Sequence, residues 1–580
     1  MKLTLTILSS GLVAVASAAP AQHAHHGQGT APPLKMAPQK TTPAITTADL
    51  MTRVYRFADD SMRGRMAGSP EAMKGTEYIA HELERLGLQP AGERGTFFQD
   101  VPLGVQTLDS ASTLTVDGKT VRAGVDFLAT GQLGVAPLSR TLEVIFGGHA
   151  IDTTNVLSPD QVRGKLLVVL PATQQPTSVQ ALLASEGYKR YAASLSAAAA
   201  IATIGGPQIP PAAVRNAFTP PAFVQLIPEQ PPAAGMFLQV TQSAGEALLG
   251  GSPASMAKGA AGKSVRADVR FNLTRRPGRN VIAVLPGSDA RLKGQYVAIG
   301  AHSDHVGPRA AGAVDHDSMR VFNTVVRPQG ADSPNRPANS DEAGRIRAMT
   351  DSLRAAHTAR RDSINNGADD DASGSMGILE IAEAFASASE KPRRSVLFVW
   401  HTGEEEGMLG SRYFTDHPTV PRDSIVAQLN VDMIGRGGTK DVTGESKEGE
   451  LLYGRNEGYL QLIGSRRLST QLGDLVEDVN KATNAGFKFD YSLDADGHQQ
   501  NIYCRSDHYM YARYGIPIVF FTTGGHADYH QVTDEPQYLN YDQLRRASQL
   551  IHDVAARVAN LDQRPVVDKP KPDPQGGCRQ

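Results

Sequence analysis

Five stretches of this chain place His, Asp and Glu where an α/β sheet would end its strands. Run 296–301 ends in His302-Ser303-Asp304-His305, and run 395–400 ends in His401-Thr402-Gly403-Glu404-Glu405-Glu406-Gly407. Run 427–431 leads into Asp432, and 516–521 leads to Gly524-Gly525-His526-Ala527-Asp528-Tyr529-His530. The turn Gly367-Ala368-Asp369-Asp370-Asp371-Ala372-Ser373-Gly374 precedes an expected helix reaching to about Ala388. Open α/β sheets build their sites outside the carboxyl ends of strands. So many carboxylates on one edge cannot all stay ionised without cations. Divalent metal is the economical resolution.

The only cysteines are Cys504 and Cys578. A CxxC-type site is therefore impossible, and a metal must be held by imidazole and carboxylate. Such a set suits zinc, and also manganese or cobalt. In His302-x-Asp304 the carboxylate can accept the second ring N–H of the His. In Glu404-Glu405 the consecutive side chains diverge, so one can bind metal while the other faces a water on it. A metal lowers that water's pKa and a Glu removes its proton. His305, His401, His508 and His526 read as hydrogen-bonded neighbours, Glu406 as a solvated loop residue, and Asp494 to Gly497 as a turn.

The elements that must position these groups follow from the pattern. From about 278, short β-branched or apolar runs alternate with helical segments, as for buried strands of an α/β sheet. Residues 47–92 read as helical. Residues 108–275 carry short β-type runs and many prolines but no cluster of candidate ligands, and read as an inserted β-rich domain. Residues 308–364 are polar and proline-broken, with a charged helical piece towards Arg361, and read as a long surface insertion. Residues 1–18 have the form of a signal peptide, with Lys2, a short apolar stretch and Ala16-Ser17-Ala18. That stretch is shorter than a spanning helix needs. The expected division is 1–18 signal peptide, 19–46 disordered leader, 47–107 and 276–562 catalytic domain, 108–275 insert, and 563–580 disordered tail. A net charge of −2 with no basic block argues against nucleic acid or an anionic membrane as partner. Nothing in the pattern sets the oligomeric state.

Taken together, the blocks Ala301 to Asp304, Gly367 to Gly374, Gly403 to Gly407, Asn430 to Met433 and Tyr529-His530 resemble the dizinc aminopeptidase family. Its clan also includes glutamate carboxypeptidase, glutaminyl cyclase and the transferrin receptor. Arg63 to Ser69 resembles the family's N-terminal segment. Phe146-Gly147-Gly148 and Arg163 to Leu166 resemble a protease-associated domain. The resemblance implies a mixed central sheet flanked by helices, two zinc ions and a peptide substrate. It implies that Asp369 bridges the ions, with Asp370 following in an unusual, cis peptide bond. His302 and Asp432 complete one ion, and Glu405 and His530 the other. Glu404 would be the general base, Asp304 the support of His302, and Tyr529 and Arg505 the stabilisers of the oxyanion. An exported aminopeptidase is the expected activity. A carboxypeptidase or dipeptidase on the same scaffold is the alternative. A glutaminyl cyclase or a non-catalytic binding protein of transferrin-receptor type fits less well, because all five ligands and the base are present.

Overall fold

The structure, a computed structural model, describes residues 33–173, 182–183, 185–231, 235–356, 358–455 and 458–580. The expected signal peptide and half of the leader, residues 19–32, lie outside them. Nine strands form the central sheet: β1 (Gln89–Pro90), β2 (Phe98–Asp100), β3 (Arg279–Leu285), β4 (Tyr296–His302), β5 (Ser395–His401), β6 (Ile425–Val431), β7 (Tyr459–Ile463), β8 (Lys488–Asp490) and β9 (Ile518–Thr522). Their order is β1-β3-β5-β4-β6-β9-β7-β8, with β2 also paired to β3. Strand β4 runs parallel to β5 and β6, and β6 runs parallel to β9. These four strands therefore end on one edge. Strands β3 and β7 pair antiparallel to β5 and β9, so the sheet is mixed.

Every residue of β5 and β6 is buried, and the runs are mostly apolar, with Gln428 and Asn430 as buried polar residues within β6. One face packs against helices α1 (Thr47–Phe57), α2 (Pro70–Arg85), α3 (Gly374–Ser387) and α4 (Tyr541–Ala559). The other packs against Phe414, Tyr503 and the segment from Tyr509 to Ala512. The fully buried Arg53 of α1 bonds Glu380 at 2.7 Å and Glu82 at 2.8 Å, and pairs with Glu383, which ties α1 to α2 and α3.

A second, eight-stranded sheet spans 113–269 around its own apolar cluster. It is joined to the first by the paired strands Leu103–Leu108 and Phe271–Arg276. The 308–364 insertion is closed at its base by the bridge Pro308–Ile364 and by Val314 and Asp315 pairing with Asp362 and Arg361. It holds two helices, His316–Val326 and Ser340–Ala356. His316, Val321, Asn323 and Val326 of the first are buried, so the insertion packs into the molecule instead of lying on its surface.

Two expectations of disorder are corrected. Residues 33–46 dock on α1 and α3, with Tyr55 Oη donating to the Pro33 carbonyl and Thr41 Oγ1 to Glu383 at 2.7 Å. In the 563–580 segment, Asp568 accepts the Thr470 N–H at 2.9 Å, Gln580 Oε1 accepts the Tyr503 N–H at 3.0 Å, and Cys578 is disulfide-bonded to Cys504. Polar composition hides such long-range partners.

Candidate metal centre

The turn after β4, the loop after β5, Asp432 after β6 and the segment after β9 converge with the 367–374 turn. Two groups of ligand-type atoms result, each with its members within 4.8 Å of one another: His302, Asp370 and Asp432, and His305, Asp370, Glu405 and His530. His302 Nε2 lies 3.2 Å from Asp370 Oδ1 and 3.6 Å from Asp432 Oδ1. His530 Nε2 lies 2.9 Å from both Asp370 Oδ2 and Glu405 Oε2. His302 Nε2, Asp370 Oδ2 and His530 Nε2 are buried without a hydrogen-bond partner. Buried polar atoms are seldom left so, and atoms of this chemistry facing one another at ligand spacing fit divalent metal.

The carboxylate common to both groups belongs to Asp370, not to Asp369. This corrects the expected register of the bridge by one residue. Asp369 turns away: its Oδ1 accepts the Gly435 N–H at 2.7 Å and its Oδ2 faces His526 Nε2 at 3.3 Å. The cis peptide bond joins Asp370 to Asp371. Asp534 holds the turn from behind, accepting the N–H groups of Asp369 at 3.0 Å and Asp370 at 3.1 Å. Gly367 permits the turn, with φ of +58°; a Cβ there would lie 2.2 Å from the Asp370 carbonyl and 2.5 Å from the His305 ring. Only glycine accepts that approach.

His305 stands in the second group, against the expectation of a mere neighbour. Its Nδ1 is 2.7 Å from Glu405 Oε1 and 3.5 Å from Asp370 Oδ2. Asp304 also acts differently from expected. The His302 Nδ1 faces the Asp304 main-chain carbonyl at 3.1 Å, while its carboxylate, 3.9 Å away, accepts the Glu404 N–H at 3.2 Å. The residue thus links the His302 turn to the glutamate loop. Asp432 is held by Ser506 Oγ at 2.8 Å, and Ser506 by Asn430 at 2.9 Å. His401 lies outside both groups, between Asp507 and Tyr511. Arg65, fully buried, donates to the carbonyls of Ser303, Asn366 and Gly367 at 3.1, 2.8 and 2.9 Å, gripping both ligand-bearing turns. Asp370, Asp534, Ser506 and Arg65 carry no spacing signal that marks them for these roles.

The electrostatics separate the adjacent glutamates. Burial drives Glu404 well above the ordinary carboxylate range; His302 opposes this, and Asp432, Asp507 and Glu405 add to it. Glu405 is held down to about 2, against burial and Asp370, by His530 and His305. Glu406 is not solvated as expected. Its carboxylate oxygens are covered and unpartnered, and burial beside Asp304 and Glu405 pushes it up to about 9. Burial opposes charge on His302 and His530, yet Asp432 and Glu405 respectively lead the carboxylates that push them well above the imidazole range. The site demands positive charge.

Beside Asp432 lies a cavity of about 90 Å³ walled by Met433, Leu493, Ile502, Phe520 and Tyr529, with Arg505 at its rim. Burial, and beyond it the carboxylates of Asp370 and Glu405, push the Tyr529 hydroxyl well above its ordinary range, while Arg505 opposes them.

A mixed α/β sheet with two adjoining His-carboxylate groups at its strand ends defines a metal-dependent enzyme class. Residues 280–555, just under half of the chain, match the family profile described as Peptidase family M28. A probable leucine aminopeptidase of Arthroderma benhamiae is 32% identical over 155 residues, covering 25% of this chain and 43% of that protein. Leucine aminopeptidase 1 of Aspergillus oryzae is 28% identical over 211 residues, covering 33% and 49%. The chain thus spans less than half the length of these curated relatives. A solved structure of BSAP, a zinc aminopeptidase from Bacillus subtilis, aligns over 89% of this chain and 95% of its own, with 15% identity and a TM-score of 0.41.

Proposed function

We propose that this chain is an exported aminopeptidase that removes N-terminal residues from peptides, using two zinc ions that share Asp370. The carrying observation is the loop after β5: Glu405 faces His530 and His305 within the second ligand group, while its neighbour Glu404 belongs to neither group. Adjacent carboxyl groups, one among the ligands and one beside them, divide the roles of fixed anion and proton carrier. His302 and Asp432 would hold one ion, and Glu405 and His530 the other. Bound metal would supply a water of lowered pKa and a Lewis acid for the scissile carbonyl. Glu404 takes the proton of the attacking water and returns it to the leaving amine. The hydroxyl of Tyr529, which lines the cavity together with Arg505, donates to the oxyanion.

The direction of cleavage follows from the charges. A carboxypeptidase needs a free cation beside the metals for the substrate's carboxylate. The basic candidates are already engaged: Arg505 pairs with Asp332 at 2.9 Å, and Arg436 pairs with Asp528. The carboxyl groups gathered around Glu404, those of Asp432, Asp507 and Glu405, suit a substrate's ammonium group better than a second carboxylate. Export rests on the signal-peptide pattern and on the Cys504–Cys578 disulfide, since such bonds persist in oxidising compartments. Among the described residues no helix is long and apolar enough to cross a membrane.

Aminoacyl-nitroanilides should be hydrolysed by the zinc-loaded chain, and their N-acetylated forms should not. Efficient release of C-terminal residues from N-blocked peptides would refute the aminopeptidase reading and leave the metal chemistry standing.

A further inference from the structure

The 308–364 insertion reaches the cavity beside Asp432 through a short 3-10 turn, Gly330–Asp332. Gly330 has φ of +56°, and a Cβ there would lie 2.4 Å from the Tyr529 carbonyl. The Ala331 N–H donates to that same carbonyl at 3.1 Å. The turn is therefore in backbone contact with the segment carrying Tyr529 and His530. Gln329, one residue ahead, is buried, with 5% of its surface exposed. Its Nε2 donates to Glu445 at 2.9 Å, its Oε1 accepts from Gln500 at 3.2 Å, and its N–H donates to Ser333 at 2.9 Å. A side chain fixed at both ends of its amide cannot swing away to admit a larger guest.

We propose that Gln329 is a specificity-determining residue: it forms the inner wall of the cavity and limits the substrate's first side chain to aliphatic size. This rests on the aminopeptidase reading, which seats the substrate's ammonium near Asp432 and Glu404 and so directs its side chain into this cavity. The volume carries the size limit. The cavity is half open to solvent and offers about 90 Å³, whereas a closed protein cavity that accepts benzene measures about 150 Å³. Met433, Leu493, Ile502 and Phe520 make it apolar. The far wall is held by the chain beyond it, because Cys504 is bonded to Cys578 and Gln580 accepts the Tyr503 N–H. The fit is to a leucine, methionine or valine side chain and not to an aromatic ring.

The test compares the zinc-loaded wild type with Gln329→Ala and Gln329→Met. The first readout is kcat/KM on leucyl-, methionyl- and phenylalanyl-nitroanilide. The second is calorimetric binding of free leucine and free phenylalanine, which needs no turnover. Wild type should favour leucine over phenylalanine by about 10-fold or more, the range one pocket contact can supply. Gln329→Ala should erase most of that ratio by gaining phenylalanine, with leucine changed by less than about threefold. Gln329→Met, which refills the volume without the amide bonds, should restore the preference for leucine. Equal handling of leucine and phenylalanine by wild type, in both readouts, overturns the proposal. So does an unchanged ratio in a Gln329→Ala protein that keeps its zinc. A wild type that hydrolyses no aminoacyl substrate yet binds leucine selectively would sink the aminopeptidase reading and support the size limit.

Discussion

Asp332 grips Arg505 with two hydrogen bonds, Nη1 to Oδ2 at 2.9 Å and Nη2 to Oδ1 at 3.1 Å. The pair joins the insertion to the segment in which Ser506 holds Asp432. Both side chains are about one-third exposed, so the pair contributes no more than about 1 kcal/mol. Its effect is on aim, because Arg505 lines the cavity beside Tyr529. Asp332→Ala should raise KM for free-amine substrates about threefold to tenfold, with kcat within about threefold of wild type and the metals retained. Deleting 308–364 is a larger change, since Gly330 and Ala331 support the segment before His530. That deletion should lower metal content as well as activity. Full metal retention on deletion would show that the insertion shapes access alone.

Asp369 and Asp370 should fail differently. Asp370 stands in both ligand groups, so Asp370→Asn should reduce bound zinc below one ion per chain under dialysis that leaves wild type with two. Asp369→Asn keeps the side chain's shape against Gly435 and should retain at least one ion. Elemental analysis after dialysis reads both. Two retained ions in Asp370→Asn would return the shared carboxylate to another residue.

This pair also marks where the sequence stops being readable. The strand ends are legible, because the buried runs β5 and β6 are mostly apolar and lead into His401 and Asp432. Three consecutive aspartates carry no periodicity, and the backbone of the turn alone decides which of them faces inward. His305 enters the site because Gly367 lets the turn close against its ring, a contact between segments some sixty residues apart in the chain. The helix His316–Val326 went unread because the surrounding prolines and charges dominate the segment's pattern. In the 563–580 segment only Cys578 carried any signal, while the bonds of Asp568 and Gln580 depend on partners distant in sequence.

Glu404→Gln should separate binding from chemistry. The Glu404 N–H is fixed by Asp304 at 3.2 Å, and its side chain belongs to neither ligand group. The amide keeps its shape and loses its capacity to carry a proton. The variant should bind zinc as wild type does while kcat falls by about 10²–10⁴. Glu405→Ala, by contrast, removes a partner of both His305 and His530 and should lose metal. A near-normal kcat in Glu404→Gln, with zinc retained, would assign the proton transfer elsewhere.

His508 should make the fold sensitive to acid independently of the metals. Its ring is fully buried, stacked on Phe520 at 4.8 Å and tilted against Tyr503 at 5.6 Å. Burial pushes its pKa from 6.5 down to about 3. Between those values the unfolded chain takes up a proton that the folded chain refuses. The unfolded state then binds more protons, so stability rises with pH across this window and falls as pH drops from 6.5 towards 3. The loss is about 1.4 kcal/mol per pH unit, or about 3 kcal/mol at pH 4.5. His508→Phe keeps a ring against Phe520 and removes the titration. Wild type and variant, both stripped of metal so that ligand protonation is shared background, should be unfolded in denaturant at pH 7.5 and 4.5. The variant should lose about 3 kcal/mol less than wild type between the two. Parallel losses would mean that the His508 ring reaches a proton in the folded state, and that its burial does not govern acid stability.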